Sequence, residues 1–197
     1  AVGIGEMGIG NTTTSSAVLA ALTGAPVEAL TGRGGGLTDS AFETKKRVIQ
    51  QALDLHRPPQ DDPVAVLSMV GGLDLAAMTG AFLGCAREGV AAVVDGFISA
   101  VAALCAARLC PAAKDMMFLS HASYEAGYRL AADELGLEPC LLLGMRLGEG
   151  SGCPLMFRVL QGACTVLRDM ATFAEGEIQD DYLAPIRAMD AFTVENT

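Results

Sequence analysis

The stretch Val2-Gly3-Ile4-Gly5-Glu6-Met7-Gly8-Ile9-Gly10-Asn11-Thr12-Thr13-Thr14 decides the fold. It passes from a short apolar run, through a loop punctuated by glycines, to the polar start of a helical pattern. A strand that ends in such a loop and feeds a helix is the first unit of a parallel α/β sheet. The pattern recurs outward from there. Residues 90–94, 116–119 and 140–143 are short apolar runs, each followed within a few residues by Gly, Ser or Asn and then by helical periodicity. Helices are expected over about 12–22, 40–56, 63–70, 73–87, 97–109, 124–135 and 153–173, with a short one near 182–189. Asp62 before Pro63 is a clear start signal, because the carboxylate caps and the proline fits the first helical position.

Composition narrows the function. The chain has 197 residues, 51% of them hydrophobic, with no Trp and only 5% aromatics, so a core of Ala, Leu, Val and Met is expected. Acidic residues outnumber basic ones by 23 to 13, and the net charge of -10 disfavours a nonspecific grip on nucleic acid or an anionic membrane. Any phosphate must then be held locally. The six cysteines form no C-x-x-C pair and sit mostly in apolar surroundings, as reduced buried thiols do. The longest apolar run, 96–107, is too short to span a bilayer, and no secretory leader is expected. These features predict a cytoplasmic protein. The chain begins at Ala1 and enters a strand at once, which predicts an N-terminal truncation. A division is expected between a nucleotide-binding part, 1–174, and an acidic tail, 175–197, where Glu175, Glu177, Asp180, Asp181, Asp190 and Glu195 face Arg187 alone.

Open parallel sheets bind ligands at the carboxyl ends of their strands, so the loops carry the function. In the first loop, glycines let the backbone approach an anion, while Asn11 and the threonines can cap a helix whose dipole favours phosphate. Gly3, Gly5 and Gly8 also satisfy G-x-G-x-x-G, though no second strand ending in an acid follows about twenty residues later. Gly5 and Gly10 have P-loop spacing, with Asn11 where lysine would stand. A tight turn whose glycines serve only packing is the remaining reading. The second loop, Thr31-Gly32-Arg33-Gly34-Gly35-Gly36-Leu37-Thr38-Asp39, precedes Lys45, Lys46 and Arg47 and suits a lid or a phosphate contact, or simply a mobile connection. Asp95 can orient a ribose hydroxyl or cap the next helix; His121 can act as base or as a structural residue. Glu149, between Gly148 and Gly150, has an exposed carboxylate suited to take a proton from a substrate nitrogen, or is a solvent-facing turn residue. Cysteines and histidines do not cluster at metal-ligand spacing, and no cofactor is expected.

The strings GEMGIGNTT, TGRGGGL, VGGLDLAAM, VVDGFIS, MRLGEGSG and DMATFAE, in this order from Val2 to about Ala174, closely resemble the nicotinate-nucleotide:dimethylbenzimidazole phosphoribosyltransferase family. The resemblance implies a Rossmann-like parallel sheet flanked by helices, with a small helical domain to which the C-terminal helices contribute. It implies a cobalamin-biosynthesis transferase that moves phosphoribosyl from nicotinate mononucleotide to 5,6-dimethylbenzimidazole or a related base and forms a homodimer at full length. A silent nucleotide-binding scaffold and a dinucleotide-dependent oxidoreductase are the alternatives.

Carried over by motif, Glu149 resembles the family's catalytic base and Glu6 a second carboxylate of the same site. Gly8, Lys45, Ser123 and Arg146 resemble the residues around the nucleotide phosphate, with Gly10, Asn11 and Thr12 in the same loop, and Asp95 lies near the ribose. Gly35 stands where the family's GRGTGL has Thr, and Thr38 where an acid follows the Leu.

Overall fold

The computed structural model describes residues 1–179, 181 and 184–188. Its sheet has three parallel strands, β1 (Val2–Ile4), β2 (Ala92–Val94) and β3 (Met117–Leu119), in that spatial order. Ile4, Val94 and Leu119 share the last row of the ladder, so all three strands end level. The loops that follow them therefore open on one edge. The expected α/β class, a parallel sheet flanked by helices, is the one found.

The fourth expected strand, 140–143, is corrected. Leu141 makes only an isolated parallel bridge with His121, while Cys140 N–H donates to the Leu119 carbonyl at 3.2 Å and Leu141 N–H to that of Ser120 at 3.0 Å. Leu142 and Leu143 are exposed. An apolar run with no layer to cover it gains nothing by continuing the ladder.

Helices α1 (Asn11–Thr23), α2 (Val27–Leu30), α3 (Asp39–His56), α4 (Pro63–Val70), α5 (Leu73–Arg87) and α6 (Phe97–Leu109) follow in chain order. The last three have the bounds expected of them. Asp62 Oδ1 accepts the N–H groups of Val64 and Ala65, both at 3.0 Å, and the Gly71-Gly72 pair separates α4 from α5. The single turn of α2 and a 3-10 turn, Pro111–Met116, are too short to leave a periodic signal. Helix α7 (Tyr128–Leu135) starts later than residue 124. A methyl group at Gly127 would fall 2.7 Å from Phe97 Cε2 and 3.0 Å from the Leu30 carbonyl, so the chain must pass this crossing before the helix can begin.

At the centre lies α6, whose residues from Ala100 to Ala106 are essentially inaccessible and which packs on α1, α5 and α7. Its alanines let the neighbouring helices come close enough for Thr79 Oγ1 on α5 to donate to the Ala102 carbonyl at 3.2 Å. Arg108 ends the helix by donating to the Leu22 carbonyl at 2.7 Å and pairing with Glu134 at 2.7 Å, which ties α1, α6 and α7 together. All six cysteines are free; Cys85, Cys105 and Cys153 are buried, but Cys110, Cys140 and Cys164 are exposed, contrary to the expectation of mostly buried thiols.

The chain divides into two compact units, Ala1–Arg158 and Val159–Thr197. Helix α8 (Gly152–Asp169) runs through the division and ends before residue 173. In the second unit, Thr172 N–H and Oγ1 donate to Glu175 Oε2 at 2.8 and 3.0 Å and Glu175 N–H returns a bond to Thr172 Oγ1 at 3.2 Å, closing a turn. Helix α9 (Ala184–Ala188) falls inside the expected 182–189. Tyr182 and Met189, with the tail acids Asp180, Asp190 and Glu195, lie outside the described residues. No described helix is long and apolar enough to cross a membrane.

Candidate active site

Two glycine loops meet above the sheet edge. A methyl group at Gly5 would lie 2.6 Å from Gly150 Cα and 2.7 Å from Gly150 N, so the loop after β1 and the loop before α8 touch backbone to backbone. Only glycine permits that approach. The contact brings Glu6 and Glu149 to the wall of one cavity of about 330 Å³, although they are far apart in sequence.

The 148–150 segment is held in an unusual form. Gly148, Glu149 and Gly150 have φ of 75°, 58° and 73°, three successive left-handed residues, and Glu149 is not a glycine. Such a conformation costs on the order of 1 kcal/mol at a residue with a Cβ and persists only where the surroundings over-determine it. Asp95 supplies the constraint. Its carboxylate, at the end of β2 and buried, accepts the N–H of Gly150 at 3.0 Å and of Gly152 at 2.8 Å. The helix-cap reading of Asp95 is thereby corrected, since no side chain caps α6; Asp95 lines the cavity, and its two carboxylate oxygens also carry the loop that presents Glu149. Ser120 and His121 complete the base of this arrangement. Ser120 Oγ donates to the Asp95 carbonyl at 2.9 Å and lies 3.0 Å from His121 Nδ1. His121 is buried and absent from the cavity wall, and burial lowers its pKa while the Asp95 charge opposes that effect. It packs beneath Gly152, so its place is structural.

Of the expected phosphate residues, Gly8, Thr12, Ser123 and Arg146 line the cavity together with Gly34 and Gly35 of the second loop. Lys45 stands behind the wall. Its Nζ donates to Thr12 Oγ1 and to the Gly32 carbonyl, each at 2.8 Å, and the side chain is buried. Burial lowers its pKa, and nearby Glu125 partly restores it. Two of its three N–H groups are engaged by these bonds.

Gly10 and Asn11 face a shallow neighbouring depression rather than the cavity. Gly10 occupies the cap of α1 with φ of 90° and no side chain caps this helix, which corrects the capping role expected of Asn11 and the threonines. The Asn11 amide donates instead to Glu6 Oε2 and, at 3.1 Å, to Asp74 Oδ2. Glu6 is half-buried; burial raises its pKa, the Asn11 bond lowers it, and the charges of Asp74, Asp95 and Glu149 raise it further. Sequence reasoning missed Glu125, which also lines the cavity and whose Oε2 is buried without a hydrogen-bond partner. It missed Tyr124 too, whose ring lies 5.8 Å from the Arg146 guanidinium carbon.

A parallel sheet thus carries two carboxylates and a glycine-lined cavity wall at its carboxyl edge. The chain belongs to the phosphoribosyltransferase family whose model matches residues 1–178. Within it, the chain is 51% identical over 193 residues to a Clostridium perfringens protein and 50% identical over 177 residues to one from Desulforamulus reducens, each named nicotinate-nucleotide–dimethylbenzimidazole phosphoribosyltransferase. These alignments cover 98% and 90% of this chain but 54% and 50% of the relatives. The chain thus spans about half the length of the curated relatives it matches. The crystal structure of CobT from Thermus thermophilus superposes with a TM-score of 0.85 at 39% identity, over 90% of this chain and 53% of that one.

Proposed function

We propose that the chain carries the catalytic half of an enzyme that transfers phosphoribosyl from nicotinate mononucleotide to 5,6-dimethylbenzimidazole, yielding nicotinate and an α-riboside phosphate for cobalamin synthesis. The observation that carries this reading is the backbone contact between Gly5 and Gly150, which brings Glu6 and Glu149 into the lining of one cavity with Gly34 and Thr12. The mononucleotide phosphate sits at the Thr12, Gly34 and Ser123 side, with Lys45 behind and Arg146 at the rim. Leu147, exposed and beside Glu149 on the cavity wall, offers an apolar surface to the flat base.

Chemistry follows from that placement. The unprotonated benzimidazole nitrogen attacks the sugar carbon on the face opposite nicotinate. As the new C–N bond forms, the bond to the pyridinium nitrogen breaks and its electron pair neutralises the leaving ring. The benzimidazole N–H proton passes to the Glu149 carboxylate, so no cationic ring accumulates. A leaving group that departs neutral at its nitrogen asks for a phosphate anchor and a base, both of which the chain's own residues supply. At full length the protein acts as a cytoplasmic homodimer on these small molecules, with no nucleic-acid or membrane partner.

The test is α-riboside formation by the full-length protein, followed by chromatography. Glu149→Gln keeps shape and one acceptor but takes no proton at neutral pH, so kcat falls about 10² to 10⁴-fold while nicotinate mononucleotide still binds. Near-parental kcat would move the base elsewhere.

A further inference from the structure

The string VGGLDLAAM contributes no residue to the cavity, yet its Asp74 reaches one of the two carboxylates. Asp74 lies in the first turn of α5, and its Oδ2 accepts one N–H of the Asn11 amide, whose other bond goes to Glu6 Oε2. A primary amide has two donors. Here both are spent on carboxylates from segments that are 68 positions apart in the sequence. Gly8 leaves the room for this: a methyl group there would lie 2.7 Å from Asn11 Nδ2 and 3.2 Å from Glu6 Oε2.

We propose that Asp74 is a positioning residue of the site, which fixes the Glu6 carboxylate at the cavity wall through Asn11. Asp74 is not among the residues that line the cavity. It locks the rotation of the amide, because an Asn that turned by half would present its carbonyl to both carboxylates. The locked amide in turn selects one orientation of Glu6. Asp74 also acts by charge. The charged groups that bear on Glu6, among the described residues, are Asp74 on α5, Asp95 at the end of β2 and Glu149 in the glycine loop, all acidic. The two members of the relay thus push in opposite directions: the Asn11 hydrogen bond favours the ionised carboxylate, whereas the Asp74 charge favours the protonated one. Glu6 is therefore held in place by a group that keeps it avid for a proton. The inference depends on the transferase reading only for what Glu6 does with that proton.

The decisive experiment is a carbon-13 NMR titration of the full-length protein labelled at Glu side-chain carboxyls, with the Glu6 resonance assigned by its loss in Glu6→Gln. Asp74→Asn retains an acceptor for Asn11 and removes the charge, so the Glu6 midpoint moves to lower pH. Asn11→Leu removes the bond and keeps the charge, so the midpoint moves to higher pH. Asp74→Ser replaces Asp74→Asn if that variant folds poorly, with the same expected direction. Opposed shifts establish the relay, since a general loosening of the fold would move both variants the same way. An unmoved midpoint on loss of the Asp74 charge, or shifts of the same sign, would overturn the proposal. Absence of α-riboside from the parental protein would instead defeat the transferase reading and leave the titration result standing.

Discussion

At Gly5 and Gly152 a methyl group has no room, whereas at Gly35 and Gly36, in the other glycine-rich loop of the same cavity, it would meet nothing within 4 Å. In sequence the two loops look alike. In the joined pair formed by the loop after β1 and the loop before α8, glycine is demanded at these two positions by what touches it: the backbone of Gly150 against Gly5, and Ser120, His121 and Asp95 against Gly152. In the loop of residues 31–39, glycine leaves space at Gly35 and Gly36, with left-handed backbone at Gly34 and Gly36 and exposed Arg33 reaching Asp39 at 2.6 Å, while the Glu125 side chain closes on Gly32 and that of Thr12 on Gly34. One loop is a fixed platform for Glu149, and the other is a wall that can adjust to a ligand.

The sharpest break of this contrast is Gly152→Ala. The added carbon would lie 2.5 Å from Ser120 Oγ and 2.9 Å from Asp95 Oδ1, and all of these groups are buried. Overpacking of this kind costs about 3 kcal/mol. Denaturant unfolding of the variant should show that loss, and no measurable activity should remain.

Next in size is Asp95→Asn. The amide oxygen can keep one of the two bonds to Gly150 and Gly152, but the NH2 group then faces an N–H donor. Loss of a charge-assisted bond and an unsatisfied donor cost about 2 kcal/mol. The left-handed Glu149 relaxes once its constraint goes, so kcat should fall more than nicotinate mononucleotide affinity does. A calorimetric Kd beside steady-state rates separates the two.

How much of this was legible without coordinates depends on the distance between partners. The bounds of α4, α5 and α6 are written locally, in Asp62-Pro63, Gly71-Gly72 and Asp95-Gly96, so they could be read directly. Glu149 could be named because the glycines beside it expose it, and Glu6 through the resemblance of its motif. What Asp95 and Asn11 do could not be read from their neighbours. Asp95 binds Gly150 and Gly152 across 55 and 57 positions, and Asn11 reaches Asp74 across 63. Lys45 reads in sequence as a cation on a helix after a glycine loop, whereas its Nζ is tied to Thr12 and Gly32 across 33 and 13 positions. A polar residue type announces that a bond will be made; only the fold says with whom.

A smaller effect probes the platform through Glu6, which rides on the loop that Gly5 docks. Its pKa is raised, first by burial, so the folded state holds the Glu6 proton more tightly than the unfolded chain does. Below the ordinary value of 4.5 both states are protonated and Glu6 costs nothing. As pH rises from there through the folded-state value, the unfolded chain gives up its proton first, and the fold loses stability that it does not regain at higher pH. Glu6→Gln should therefore be more stable than the parent at pH 7, and the gain should vanish below about pH 4.5. Urea midpoints at about pH 4 and pH 7 check it; an equal gain at both pH values would mean that the effect is not the charge.

The smallest expected effect lies in the open loop, at Gly35→Thr. Gly35 is absent from the left-handed positions, which include its neighbours Gly34 and Gly36, so a side chain meets no backbone strain there. It also meets no atom within 4 Å, so there is no clash to relieve. What remains is the unfolded chain: replacing a glycine restricts it and stabilises the fold by about 0.4–1 kcal/mol where the native backbone accepts the new residue. Threonine's hydroxyl would stand at the cavity wall beside Gly34 and Thr12, on the side assigned to the phosphate. A thermal scan should then show a Tm equal to the parent's or a degree or two higher, and nicotinate mononucleotide should bind at least as tightly. A loss above about 1 kcal/mol would show that the second loop is packed as closely as the first. The difference between platform and wall would then fall, because both glycine loops would owe their glycines to contact.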